Sequence, residues 1–456
     1  MPGLSAHKIA IVRNLVESSP DKVVGALQAA LASTDLDSDL GGVRRLVEHE
    51  AQDRRLRNVV LQPVAALFVG DGRATGRLIF PTRALALIWR GLKQDAPNEM
   101  AIAVAAAVEM RADEPDPGVF DILAARAADG LRSREQRDFR AAAEVCDLAR
   151  PGGANLLCSC LDLGPIGRAA TRRLGEWISR TSDENTAAAR LAYKDAVGVA
   201  EDAGPRFFEM LAGQLASPWM VLRIISAVMD RPHETYLAQS ECAGFALRVM
   251  DDIDLGLVAI AELDVDGGPR AGLAAAKVVD DVTLRISELE QTIELTRAGP
   301  WGSRLAKQKQ ALAACVEDRL RAAEKAAGDA LPTQGAKIAR LFKQVPRLDI
   351  PLDPGAFTRA MTLLTFTHQI RSSANYGGFA SARTKLCDKL GETIDHYVEE
   401  VLDRLREGEV EDPGLARARL EAAAEFSALI RDPKAAEIIR RRMLAACVEP
   451  HPEPEA

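Results

Sequence analysis

Aromatic side chains are scarce in this chain, 4% of its 456 residues, and they belong with the β-branched residues that favour strands. What apolar content there is comes mainly from Ala, Leu and Val, and Ala and Leu are strong helix formers. Helix is therefore the expectation throughout. Cysteine is sparse and odd in number, with seven residues scattered at Cys146, Cys158, Cys160, Cys242, Cys315, Cys387 and Cys447. That pattern suits buried free thiols in a reducing compartment better than a disulfide framework, so a cytoplasmic location is expected. Positive charge is short as well: 58 Lys and Arg against 66 Asp and Glu leave a formal net charge of −8. No global field gathers phosphate backbones, and nucleic acid is not expected as a partner. Long apolar runs are missing. The longest, "MAIAVAAAVEM" from Met100 to Met110, falls well short of the roughly 20 residues that span a bilayer. The opening "MPGLSAHKIAIVRNLVESS" lacks a basic region followed by an apolar core and cleavage site, so it does not read as a secretory signal.

What is present fits a folded helical protein. Apolar residues make up 47% and charged residues 27%, unlike the composition of disordered chains. The length exceeds what one core usually organises, so two or three domains or an elongated array are expected. "SSPDKVVGALQAALAS" offers Ser19 as an N-cap, Pro20 at the first helical position and an apolar spacing of Val24, Leu27 and Leu31. Ser217 and Pro218 repeat the device. Tight breaks such as "DAPNE", "RPGGAN" and "EDAGPR" then separate short helices, which pack as antiparallel neighbours. An all-α fold follows, with an N-terminal antiparallel array of α-solenoid-like character over 1–266. No fixed-period repeat survives counting.

From 267 to 341 the spacing predicts a long helical hairpin. Ala275, Val279, Val282, Ile286, Leu289 and Ile293 alternate steps of four and three, a coiled-coil-like seam, and "TRAGPWGS" breaks the chain before Leu305, Leu312, Val316 and Ala323. Lys309 and Arg319 fall on the second helix's register, so ordinary antiparallel packing is expected there rather than an autonomous coiled coil. The three prolines of "FKQVPRLDIPLDPG" mark a boundary, followed by a C-terminal helical bundle over 342–448 and a flexible, polar tail over 449–456. "AFTRAMTLLTFTHQIR" is apolar nearly all round and should be central to that bundle.

Candidate sites are few. Asp251, Asp252 and Asp254, with Asp280 and Asp281, are candidate Mg²⁺ ligands, since carboxylates one turn apart share hard cations. No partner carboxylate stands at i+4 from any of Asp251, Asp252, Asp280 and Asp281. Capping explains the first cluster better: a helix ends near Val249, and Asp251 or Asp252 starts the next with Asp254 in its first turn. "ELDVDGG" fails the EF-hand pattern because Ala275 stands where the bidentate Glu belongs. Gly70, Gly72 and Gly76 match neither a dinucleotide nor a Walker loop. Cys158 and Cys160 lack the second ligand pair of a zinc site, and His368 falls on an apolar face as a core histidine. Arg383 and Lys385 follow the glycine-rich "SSANYGGF" at a helix start, a possible anion site set against a plain capped turn.

The expected function is a helical scaffold or adaptor whose partner is another protein, with no cofactor and with homo-oligomers allowed. The alternative is an all-α Mg²⁺-dependent enzyme acting on a phosphorylated or isoprenoid-like substrate. Peripheral membrane contact would need a basic, amphipathic helix, which the N-terminal helix shows faintly.

Overall fold

The computed structural model describes residues 6–33, 39–73, 76–110, 117–179, 182–200, 202–229, 232–338 and 341–446. The fold is all-α, 80% helical, and its contacts divide the chain into Met1–Ala246 and Leu247–Ala456. No helix of the described residues is long and apolar enough to cross a membrane.

The first unit contains α1 (Ala6–Ser18), α2 (Asp21–Leu31), α3 (Asp39–Val60), α4 (Thr82–Asp95), α5 (Pro97–Glu109), α6 (Gly118–Ser133) and α7 (Arg137–Ala149). It continues with α8 (Gly153–Asp162), α9 (Gly164–Ser179), α10 (Asp183–Val199), α11 (Ala203–Gln214), α12 (Val221–Val228) and α13 (Glu234–Gln239). Helices pack as neighbours, but the most extensive contacts join α4 to α7 and α6 to α8, skipping intervening helices. Phe139 on α7 shows how α4, α6 and α7 meet: its ring lies where Cβ atoms on Gly91 and Gly130 would fall. Glycine at those positions admits the aromatic side chain.

The predicted cap at Ser19 does not form. α2 begins at Asp21 with Pro20 as its N-cap residue, and the Ser19 hydroxyl donates back to the Leu15 carbonyl at 2.7 Å. Arg54 of α3 joins these elements. Its Nη2 donates to the carbonyls of Val16 and Ser19 at 2.8 Å and of Glu17 at 3.3 Å. Its Nε donates to Glu50 at 2.9 Å, and its Nη1 reaches Asp21. The last carbonyls of α1, which have no partner within their own helix, are thus satisfied by a buried guanidinium. Val16, Val24, Val47 and Ala51 form a small apolar core beside it.

In the second unit lie α15 (Gly268–Thr292), α16 (Pro300–Ala330), β1 (Thr333–Ile338), β2 (Leu341–Pro346) and α17 (Pro354–Gln369). After them come α18 (Ala374–Gly377), α19 (Ala380–Arg406), α20 (Pro413–Ile430) and α21 (Pro433–Ala446). α14 (Ala243–Ala261) straddles the division, which falls earlier than the boundary at 266 expected from the loss of loop punctuation.

The six seam residues, five on α15 and Ile293 just after it, are all buried, yet α15 and α16 touch each other only sparsely. Both pack extensively on α17 instead. The pair is therefore part of a three-helix assembly. α17 justifies its apolar character there, with Leu363, Leu364 and Phe366 buried. Its buried Thr362 and Thr367 hydroxyls donate to the carbonyls of Thr358 and Leu363, at 2.9 and 2.8 Å, so neither is left unsatisfied. Gly272 sets the approach of α15: a Cβ there would fall on the Thr362 carbonyl oxygen of α17 and crowd the Phe366 backbone nitrogen.

An unexpected element is the antiparallel β1–β2 ribbon, registered with Gln334 opposite Val345 and Thr333 opposite Pro346. The expected boundary between 341 and 342 falls inside β2. A two-stranded ribbon is marginal alone, and this one gains support where β2 packs on α19 and Val345 is buried.

Candidate functional site

The aspartates do not cap a helix, contrary to the sequence expectation. α14 runs unbroken from Ala243 to Ala261, so Asp251, Asp252 and Asp254 sit within it. Ala246, Met250, Ile253, Leu257 and Ile260 form its buried stripe at helical spacing, and burial of that stripe outweighs the few tenths of a kcal/mol by which Asp disfavours helix. Asp251 and Asp254, three residues apart, both accept from Nη2 of Arg304 on α16, at 2.6 and 2.5 Å. One turn along α16, buried Gln308 donates through Nε2 to Asp254 at 2.7 Å and to the Met250 carbonyl at 2.8 Å. Asp252 lies 3.9 Å from Arg285 of α15.

The other acidic pair is engaged differently. Asp280 accepts from the Ser373 hydroxyl just before α18; burial, reinforced by neighbouring Asp281, pushes its carboxyl above the usual range. Asp281 is exposed. Four of the five carboxylates are thus split among Arg304, Arg285 and Ser373. Among the described residues, no group of three or more His, Cys, Asp or Glu is arranged to hold a metal ion. Mg²⁺ at Asp251 and Asp254 would have to displace a guanidinium already bonded to both.

Arg383 and Lys385 lie near the start of α19, two residues apart and so on different faces. Arg383 Nε donates to the Thr367 carbonyl at 2.8 Å, where positive charge suits the C-terminal end of α17. Lys385 is exposed. His368 Nδ1 lies 2.8 Å from the Leu429 carbonyl, a hydrogen bond to α20. The thiols of Cys146 and Cys160 are pushed up to about 12 and that of Cys158 to about 11, by burial first. They are poor nucleophiles and poor metal ligands in that state.

Gly70, Gly72 and Gly76 all have positive φ, and Phe68 and Phe80 form a parallel bridge. Thr82 at the start of α4 donates its N–H to the Gly70 carbonyl at 3.0 Å.

Two surface features escaped the sequence patterns. α5 has the composition of a core helix, yet only Met100 and Ala103 are buried. Ile102 and Val108 are 59% and 76% exposed, and a shallow trough follows Ala101, Val104, Ala105 and Val108 between Lys93 and Glu109. The run was visible in the sequence; its exposure was not. In the second unit, a cavity of about 320 Å³ opens between α16, α19 and the ribbon. Its walls come from segments more than 60 residues apart in places, such as Ala327 and Ile394, which no local motif reveals. Compared with known proteins, the chain matches no family model, no curated protein and no solved structure.

Proposed function

We propose that this chain is a cytoplasmic helical scaffold or adaptor that binds other proteins through helix-pair surfaces. In this reading the first unit serves as an α-solenoid-like array, and the second as a hairpin and bundle. The exposed apolar face of α5 carries the proposal. Scattered exposed apolar residues are ordinary, but Ala101, Ile102, Ala105 and Val108 are contiguous on one helix, and contiguous apolar patches mark interaction sites. An amphipathic helix laid along such a trough is an established recognition mode. The arrangement around Asp251 and Asp254 counts against Mg²⁺ at those two residues, because the carboxylates hold Arg304.

A photo-crosslinking residue at Val108, used in cells and followed by mass spectrometry, tests the reading. Reproducible adducts that vanish in an Ile102→Asp variant of unchanged helicity are the expected result. The bare protein alone, or adducts indifferent to Ile102→Asp, would overturn it.

A further inference from the structure

We infer that the cavity between α16, α19 and the β1–β2 ribbon binds a small uncharged molecule, an apolar body bearing at most one neutral polar group. The cavity's size sits at the lower end of small-molecule pockets. Its floor is apolar, with Leu331, Leu390 and Ile394 at 7%, 4% and 2% exposure. The buried Tyr397 ring joins the lining, and its phenol, pushed up to about 12 by burial, adds no charge.

Charge around the rim cancels. At one end Lys389 is held by Glu324, at 2.5 Å. Glu400 lines the opposite end, eleven residues further along α19, or roughly 16 Å at the helical rise, and it too is engaged by a neighbour. His396 lines that same end, where any positive charge it carries stands one helical turn from the Glu400 carboxylate. Arg404, one turn beyond Glu400, donates to the Pro346 carbonyl at 3.4 Å. A cationic head group therefore meets Lys389 at one end and Arg404 at the other, while an anionic one meets Glu324 and Glu400. Neither sign recovers what it loses in leaving water. An uncharged polar group does find partners. Thr333 and Gln344 line the ribbon side, and Thr393, whose hydroxyl donates to the Lys389 carbonyl at 2.8 Å, keeps its oxygen as an acceptor.

The full chain is titrated calorimetrically with phenethyl alcohol, phenethylamine and phenylacetate, which share one body and differ in head-group charge. Phenethyl alcohol should bind about tenfold more tightly than either ion. Its binding should also slow amide exchange in the ribbon, a two-stranded element that is marginal alone. Gly328 and Thr393 are exposed lining residues, and a Cβ on Gly328 meets nothing within 4 Å. Gly328→Leu combined with Thr393→Phe therefore fills the cavity from its rim without touching the buried floor, and should abolish binding of the alcohol. Silence with all three probes, an ion binding as tightly as the alcohol, ribbon exchange unmoved by the alcohol, or full binding by the doubly substituted chain would overturn the proposal. None of these outcomes bears on α5.

Discussion

Arg54 shows how much a single buried side chain decides in the first unit. With 6% of its side chain exposed, it bonds Glu50, Asp21 and three backbone carbonyls at the end of α1. Removing one member of a buried charged network leaves the rest uncompensated, at about 3–5 kcal/mol. Arg57 also contacts Glu50, at 3.0 Å, which places Arg54→Ala near the lower bound, about 3 kcal/mol. Urea unfolding should register that loss, and amide exchange should accelerate first in α1 and α2. Arg54→Lys should recover little, because one ammonium cannot reproduce the guanidinium's fork. Little of this was legible in the sequence, where Arg54 is one charge among many and every partner but Glu50 stands more than 30 residues away. The aspartates of α14 taught the same lesson: a local pattern suggested a cap, while Arg304, some 50 residues on, decided their use.

Among elements, α15 and α17 were the most readable, since a four-three seam and an all-round apolar helix announce burial. What the seam faced was hidden, because any apolar helix satisfies it. Gly272 gives the contact its specificity. Ala would be favoured there by helix propensity, by about 1 kcal/mol, but its Cβ would meet α17 backbone, which cannot rotate aside. Overpacking of about 1–3 kcal/mol should win, so Gly272→Ala should lower the denaturation midpoint of the second unit.

α21 is held differently, by Arg442 bonded to both oxygens of Glu399 on α19. That bond holds the Glu399 carboxyl below its ordinary range. A depressed folded-state value means the contribution is complete above the free Glu value of about 4.3 and fades as pH falls through the lowered one. The pair is partly exposed and the effect small. Exchange in α21, normalised to intrinsic rates, should therefore rise modestly in that acid window, and Glu399→Gln should flatten the response. The ribbon was the element missed outright. "GAKIARLFK" has too few turn residues to announce a hairpin, and its support comes from α19, far along the chain.

At the scale of the whole chain, composition alone gave the fold class, because abundant Ala and Leu with few aromatics leave little but helix. The division at Ala246 was not legible, since α14 crosses it without a break. Two units with separate cores should melt separately in urea when each has its own reporter. Trp89 is buried in the first and Trp301 in the second. Variants retaining only one of these tryptophans should give distinct fluorescence midpoints, and coincident transitions with equal slopes would show one cooperative body.

Cys160 lies wholly sealed on α8, its thiol held in the unreactive protonated form. An alkylating reagent can reach it only after α8 has left its neighbours, so the pace of labelling at that sulfur is a clock for how often the first unit breathes open.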